Sequence, residues 1–264
     1  MKKLFLLIFL FPVFSVLAQE KEVLTKLDAK ADFYGDLARQ IWSNPELGYL
    51  ETKSSQLLQK TLSDAGFKVT AGVAGIPTAF VAEYGSGKPV IGIMAEFDAL
   101  PGVSQEAISA RKPVVVGGAG HACGHHLFGA ASVAAGISVM DWMKANKIKG
   151  TVRVYGTPAE EGGGGKIVML ERGAFDGIDV AALVHPGPVD VAFAEPFAVR
   201  HIAVKFSGKA AHAAAYPEQG VNAADAFTIA QVAIGLLRQQ LPNTVRVHGV
   251  MTRGGEAPNA IPEV

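Results

Sequence analysis

The sequence has very little cysteine, no excess of charge and no long apolar run beyond its first eighteen residues. Cys123 is the single cysteine among 264 residues, so the chain cannot form an internal disulfide. The 24 basic and 24 acidic residues balance, which gives no electrostatic reason to expect nucleic acid or a membrane surface as a partner. These deficits exclude a disulfide-stabilised small domain and predict no stable membrane insertion after residue 18.

The N-terminus has the pattern of an export signal. Lys2 and Lys3 precede an apolar run at 4–17, and Ala18 stands at the boundary with charged residues. This pattern predicts a secretory signal peptide at 1–18 and a secreted or periplasmic protein. A retained membrane anchor is the alternative, but the run is shorter than the roughly twenty residues that span a bilayer.

Helical and strand patterns alternate along residues 19–197. Apolar residues at helical spacing predict helices at 28–43, 52–65, 127–144 and 166–172, and short apolar runs predict strands at 68–73, 78–84, 90–95, 151–155 and 179–184. Such alternation predicts an α/β domain with a mostly parallel sheet and helices on both faces. Site-forming loops are expected from the 30 glycines, several of which cluster beside polar residues.

The pattern changes near residue 198. Residues 199–206 alternate like an amphipathic strand, 221–241 form a helical pattern and 244–252 form another strand pattern. We therefore predict a second, α+β domain at 198–264 that is incomplete, so that the chain is a fragment. The alternative is a naturally short protein whose edge strand pairs with a partner.

Polar residues follow three of the predicted strands directly. Glu96 and Asp98 follow strand 90–95, Glu160 and Glu161 follow strand 151–155, and His185 follows the strand near 180. Because ligands bind beyond the carboxyl ends of strands in open α/β sheets, these side chains are expected at one site.

A fourth cluster, from His121 to His126, surrounds the single cysteine. If the segment is extended, His121, Cys123 and His125 point the same way and His126 faces elsewhere. Imidazole and thiolate are ligands of Zn²⁺ and related metals, and metal binding would deprotonate the thiol. The alternatives are a buried, inert thiol and structural histidines.

The adjacent carboxylates Glu160 and Glu161 come directly before four glycines. Adjacent side chains diverge, so one can bind a metal while the other accepts a proton from water. A solvated acidic loop is the simpler alternative.

Three motifs carry a family resemblance: Glu96 to Gly102, Gly120 to His126 and Ala159 to Gly163. In order and spacing they resemble the aminoacylase/carboxypeptidase family of metal-dependent amidohydrolases. The resemblance implies a catalytic α/β domain interrupted by a lid domain that mediates homodimerisation. It also implies two divalent metal ions, Zn or Mn, and hydrolysis of the amide bond of N-acylated amino acids or aminobenzoyl-glutamate-like conjugates.

The resemblance further assigns roles to individual residues. It implies Glu160 as the general base, Asp98 as a support of the metal site, and four metal ligands: Cys123, His125, Glu161 and His185.

In the lid, the resemblance implies that His212 and Asn259 contact substrate, with Arg246 and His248 as weaker candidates. Glu96 stands where many relatives have a histidine ligand, and at best it supports the site from outside the ligand shell. His126 replaces the usual Asn or Asp, and a further histidine ligand is expected beyond residue 264.

Three other functions compete with hydrolysis by a metal centre. A secreted metal- or substrate-binding protein would need no base beside Glu161. A cysteine hydrolase built on Cys123 lacks an obvious oxyanion loop and would not respond to a chelator. A zinc deaminase requires a Pro-Cys-x-x-Cys pair that is absent from the sequence.

Overall fold

A computed structural model describes residues 20–264. This part of the chain divides into two compact units, one ending at Pro188 and the other spanning Val189–Val264. The predicted domain boundary at 197/198 stays a prediction, and the predicted signal peptide lies outside the described residues.

The first unit is an α/β domain, as predicted. Helical residues 20–28 precede α1, and a 3-10 turn at Val73–Gly75 lies between the first two strands. The helices are α1 (Ala31–Trp42), α2 (Thr52–Ala65), α3 (His125–Asn146), α4 (Glu160–Gly163) and α5 (Gly165–Glu171). The strands are β1 (Lys68–Ala71), β2 (Phe80–Ser86), β3 (Val90–Ala95), β4 (Gly150–Gly156) and β5 (Val180–Ala182).

The five strands form one mixed sheet in the order β1-β2-β4-β3-β5. β3 pairs in parallel with β4 on one side and with β5 on the other, whereas β2 pairs antiparallel with β4 and with β1. The prediction of a mostly parallel sheet is therefore right for the half that carries the polar strand ends. It fails at the other half, where β1 and β2 are joined by residues 72–79 alone, which is shorter than the crossover that a parallel pair needs, and where β2 also runs antiparallel to β4.

Apolar side chains on both faces of the sheet are covered by helices. On one face Val152 and Val154 of β4 pack in a cluster with side chains of α1, α2 and α3. On the other face Tyr155 packs with Met169 of α5. The strand period of two sends alternate residues of β4 to opposite faces, so its run is apolar almost throughout.

The second unit contains one α-helix, α6 (Ala223–Leu237), and 3-10 turns at Pro217–Gln219 and Arg238–Gln240. Asn222 caps α6, since its side chain accepts a hydrogen bond from the Ala224 amide at 3.0 Å. The strands predicted at 199–206 and 244–252 are wrong, because neither segment finds a pairing strand within residues 189–264 and an unpaired strand is not stable.

None of the helices within residues 20–264 is long and apolar enough to cross a membrane.

Candidate metal centre

Three neighbouring parallel strands bring their polar ends together. Glu96 and Asp98 follow β3, Glu161 follows β4 and His185 follows β5. His125, the first residue of α3, lies among them: its Nε2 atom is 3.3 Å from Glu96 Oε2 and 3.6 Å from Glu161 Oε1. The structure thus brings together the side chains that the sequence placed at one sheet edge.

α3 lies very close to the end of β3, and this positions His125. Gly124 precedes the helix in a left-handed conformation with φ 89°. Gly129 approaches β3 so closely that a Cβ atom there would lie 2.2 Å from the Glu96 carbonyl oxygen. Only glycine permits this approach, which puts the first turn of α3 against Glu96.

Asp98 orients His125. Both side chains are fully buried, and the Nδ1 atom of His125 donates to Asp98 Oδ1 at 2.8 Å. The other carboxylate oxygen of Asp98 accepts from the Glu161 amide at 2.9 Å. Burial opposes ionisation of Asp98, but these hydrogen bonds outweigh it and lower its pKa. Burial likewise opposes a charge on His125, and Asp98 with the surrounding carboxylates still raises the pKa of the imidazole.

Several buried polar atoms around His125 lie close together, and none of them receives a hydrogen bond from the described residues. Within residues 20–264, His125 Nε2, Glu96 Oε2 and Glu161 Oε1 have no hydrogen-bond partner. In the neutral form of His125, with the proton on Nδ1 donated to Asp98, the ring presents a lone pair at Nε2 to carboxylate oxygens. Acceptors this close are repulsive unless a cation lies between them.

Cys123 and His185 form the opposite side of the site. The Cys123 Sγ and His185 Nε2 atoms are 3.4 Å apart, and Nδ1 of His185 donates to the Pro186 carbonyl at 2.9 Å. That bond leaves Nε2 of His185 available to a metal. Burial, followed by the negative charge of Glu161, raises the pKa of the Cys123 thiol to about 12, so a thiolate here needs a cation nearby.

A buried carboxylate stabilises the turn that carries Glu160 and Glu161 by a hydrogen bond to its backbone. Ala159 has left-handed backbone angles, φ 56° and ψ 44°, which are unfavourable for a residue with a Cβ. The fully buried carboxylate of Glu51 accepts from the Ala159 amide at 2.8 Å and from the Thr78 hydroxyl at 3.0 Å. Glu160 itself stays 39% exposed, with its Oε2 atom 3.7 Å from His125 Nε2.

Lys166 joins the site from the second residue of α5. Its ammonium group donates to Oε1 of Glu96, whose side chain is otherwise buried. A Cβ atom at the preceding Gly165 would lie 1.9 Å from the Pro158 carbonyl oxygen, so the chain is tightly packed where it turns into α5. Sequence reasoning did not single out Glu51 or Lys166.

His121 lies apart from the ligand group, contrary to its expected alignment with Cys123 and His125. The segment is not extended, because α3 already begins at His125. The His121 ring instead lies 5.2 Å from that of His126, which in turn lies 4.7 Å from Trp42. Burial, then the neighbouring histidine, lowers the pKa of His121 and of His126 to about 4, so both are neutral at pH 7.

The remaining predicted residues lie in the second unit. His212 is exposed, and its Nδ1 atom accepts from the Ala214 and Ala215 amides at 3.2 and 3.1 Å. The backbone carbonyl of Asn259 accepts from the Ala213 amide, and a β-bridge joins His212 to Ala260. The unit therefore brings His212 and Asn259 close in space. Arg246 bonds carbonyls of its own loop and lies over the Phe197 ring, and the substrate contacts expected of all three stay predictions.

The donor set fits divalent metal ions. Two groups each offer three ligand atoms within 4.8 Å of one another: Cys123, His125 and His185, and Glu96, His125 and Glu160. Metal–ligand bonds of about 2.0–2.3 Å place two ligands of one tetrahedral ion about 3.5 Å apart, which matches the separations at His125. Thiolate, imidazole and carboxylate together suit Zn²⁺ and Mn²⁺.

The curated proteins that the chain resembles are hydrolases and dipeptidases. It is 43% identical over 242 residues to one component of the p-aminobenzoyl-glutamate hydrolase of Escherichia coli K12, covering 89% of this chain and 50% of that protein. It is 38% identical over 249 residues to the Xaa-Arg dipeptidase of Mus musculus, covering 90% of this chain and 54% of that protein. The chain thus spans about half the length of the curated relatives it matches.

Solved structures share the fold of the chain, and a family model matches it. The Bacillus subtilis YXEP protein, described as a dinuclear metal binding peptidase, aligns with a TM-score of 0.53 at 27% identity over 61% of this chain and 44% of that one. The aminobenzoyl-glutamate utilization protein of Klebsiella pneumoniae shares the fold, with a TM-score of 0.56 at 19% identity over 91% of this chain and 66% of that one. The model of Peptidase family M20/M25/M40 matches residues 92–249, and the chain belongs to this family.

Proposed function

We propose that the whole protein is a hydrolase that uses two divalent metal ions, Zn or Mn, to cleave an amide bond. The substrate class is N-acylated amino acids or aminobenzoyl-glutamate-like conjugates, a proposal supported by the similarity to the p-aminobenzoyl-glutamate hydrolase component. Two metals are supported by the description of the YXEP protein as dinuclear.

One observation carries this proposal. Buried acceptor atoms of His125 and Glu161 face each other at 3.6 Å, and both lack hydrogen-bond partners in the described part of the chain. Unpaired buried acceptors are costly, so a protein retains them where a cation is bound. Cys123 and His185 complete the proposed ligand set, and Asp98 fixes the orientation of His125.

The chemistry divides between the metal ions and this chain's side chains. When bound, the ions polarise the amide carbonyl and make water nucleophilic at neutral pH. Glu160 is the base: it is partly exposed, it lies beside the ligands, and it has a free carboxylate to accept a proton from water and return it to the leaving amine. Asp98 keeps the proton of His125 on Nδ1, so that Nε2 stays available.

The second unit supplies the remaining parts of the proposal. We infer that His212, Asn259 and Arg246 contact substrate and that residues 198–264 belong to a lid through which two copies pair. We also propose that residues 1–18 direct export to the periplasm or the exterior.

Replacing Glu160 with Gln in the full natural protein tests the assignment of the base. We expect the variant to keep its metal content, measured by mass spectrometry, and to lose about 100-fold or more in kcat, because glutamine cannot take a proton. Glu171→Gln, an exposed change on α5, is the matched control and should keep full activity.

Hydrolysis assays with N-acyl amino acids, with and without a chelator, separate the rival functions. A Glu160→Gln variant that retained most of its activity would rule out Glu160 as the base. Metal binding without hydrolysis of any N-acyl amino acid by the unaltered protein would favour a metal- or substrate-binding protein. Hydrolysis that resisted chelators would favour a cysteine hydrolase built on Cys123.

A further inference from the structure

Glu96 has the environment of a metal ligand rather than of a supporting residue. Its side chain is 2% exposed, and its Oε2 atom has no hydrogen-bond partner among the residues from 20 onward. That oxygen is 3.3 Å from the Nε2 atom of His125, the shortest of the distances between His125 Nε2 and a carboxylate. Two ligands of one tetrahedral metal ion lie about this far apart.

The hydrogen bond on the other side of the His125 ring determines what a neutral His125 presents to Glu96. Asp98 already accepts the Nδ1 proton, so a neutral His125 has only a lone pair to offer Glu96. A carboxylate oxygen and an imidazole lone pair repel each other, and the backbone of α3 at Gly129 lies close against the Glu96 carbonyl, so the two side chains start from neighbouring backbone positions.

Lys166 determines which oxygen of Glu96 is free. Its ammonium group binds Oε1, while Oε2 points to His125. Lys166 remains 31% exposed and therefore keeps part of its hydration while it neutralises a buried carboxylate. A carboxylate held in this way presents to a metal one oxygen, Oε2, that has no hydrogen-bond partner among the described residues.

We propose that Glu96 binds the metal ion held by His125 through Oε2 alone, and that Lys166 enforces this mode by occupying Oε1. This rests on the proposed metal-dependent function and adds to it a fifth ligand and a residue that positions that ligand. Lys166 touches neither metal nor substrate and acts through Glu96.

The test uses the full natural protein and measures metal binding rather than turnover. Purified protein is stripped of metal, loaded with Co²⁺ and titrated against a chromophoric chelator. We expect Glu96→Gln to weaken binding of one Co²⁺ at least tenfold and to change its visible bands, because an amide replaces a charged ligand. The thiolate-to-cobalt band of Cys123 should persist, which shows that the site still folds.

Matched variants control for charge and for folding. Glu83→Gln removes a carboxylate from another ion pair of the sheet, with Arg153 at 2.7 Å, and should bind Co²⁺ as the unaltered protein does. Lys166→Met should change the affinity or the visible bands in the natural background but change the affinity less than twofold in the Glu96→Gln background. Lys166→Arg should restore the natural behaviour, since it keeps the charge.

The outcomes distinguish this proposal from the function on which it rests. If the unaltered protein binds no Co²⁺, the proposed function itself fails. If it binds Co²⁺ and Glu96→Gln binds equally well with unchanged bands, Glu96 is no ligand although the metal-dependent function stands. If Lys166→Met has the same effect in both backgrounds, Lys166 does not act through Glu96.

Discussion

At the residue scale, Glu51 is the buried carboxylate that supports the turn beneath the proposed base. It is completely buried, and it accepts hydrogen bonds from the Ala159 amide and the Thr78 hydroxyl. Burial raises the pKa of Glu51 more than these hydrogen bonds lower it. The left-handed Ala159 holds an unfavourable conformation directly before Glu160, so the acceptor at Glu51 stabilises the turn that presents Glu160.

The raised pKa of Glu51 makes the stability of the fold depend on pH. A carboxyl group whose folded pKa lies above its unfolded value of 4.5 stabilises the fold below that value, and this contribution is lost as pH rises through the folded pKa. Glutamine stays neutral and keeps an oxygen for the Ala159 amide. From about pH 4 to about pH 7, the free energy of unfolding of Glu51→Gln should therefore rise relative to the unaltered protein.

Urea unfolding of both proteins at the two pH values measures this difference. Glu171→Gln, an exposed change, serves as the control. Its free energy of unfolding should change between the two pH values by the same amount as that of the unaltered protein. A difference between Glu51→Gln and the unaltered protein that is the same at both pH values would show that Glu51 titrates normally.

The sequence indicated the proposed ligands but not the residues that hold them. Cys123, His125 and Glu161 belong to residue types that bind metals and stand at strand or helix ends, where sites form. Glu51 and Lys166 act on partners 108 and 70 residues away, and nothing in the local pattern marks such contacts. The expected alignment of His121 with Cys123 and His125 is wrong, because it requires an extended segment and the chain turns into α3 at His125.

At the element scale, the predicted bounds of helices and strands are right where the local hydrophobic pattern matches the packing of the element. The strand predicted at 90–95 and the helix predicted at 52–65 have the bounds seen in β3 and α2. The sheet differs because pairing depends on partners distant in sequence: β2 precedes β3 by three residues yet pairs with β4. An alternating pattern at 199–206 was not enough to form a strand without a neighbour in the second unit.

The close packing of α3 against β3 predicts opposite effects for two Gly→Ala changes in helices. At Gly35 of α1 a Cβ atom would meet only the flexible Arg39 side chain, at 3.6 Å, so alanine should stabilise the fold by about 0.5–1 kcal/mol. At Gly129 it would meet the Glu96 carbonyl oxygen at 2.2 Å, so alanine should destabilise by about 1–3 kcal/mol and displace His125.

Urea denaturation with metal analysis checks both effects of the glycine changes. Gly129→Ala should also lose bound metal, whereas Gly35→Ala should retain it. Equal stabilisation by the two changes would mean that α3 can move away from β3 without penalty.

At the scale of the whole molecule, every proposed metal ligand from Glu96 to His185 lies in the unit that ends at Pro188. Both tryptophans of the sequence, Trp42 and Trp142, lie in the same unit. Trp142 packs against its main core, and the Trp42 ring lies 4.7 Å from that of His126. Within these 264 residues, tryptophan fluorescence therefore reports the unfolding of the unit that would bind the metals, without a signal from the second unit.

Removal of metal should lower the midpoint of the thermal transition that tryptophan fluorescence detects. A metal that binds only the folded unit stabilises it by RT ln(1 + [L]/Kd), about 2.7 kcal/mol when free metal is 100-fold above Kd. Chelation removes this contribution and leaves the acceptors around His125 facing one another, so EDTA should shift the midpoint down by several degrees. Restoring Zn²⁺ or Mn²⁺ in excess should reverse the shift.

In a His125→Ala variant EDTA should have much less effect, because the ligand common to both groups of donor atoms is gone. An EDTA-treated protein that mass spectrometry shows to be free of metal and that melts at an unchanged temperature would contradict a metal centre built on these residues.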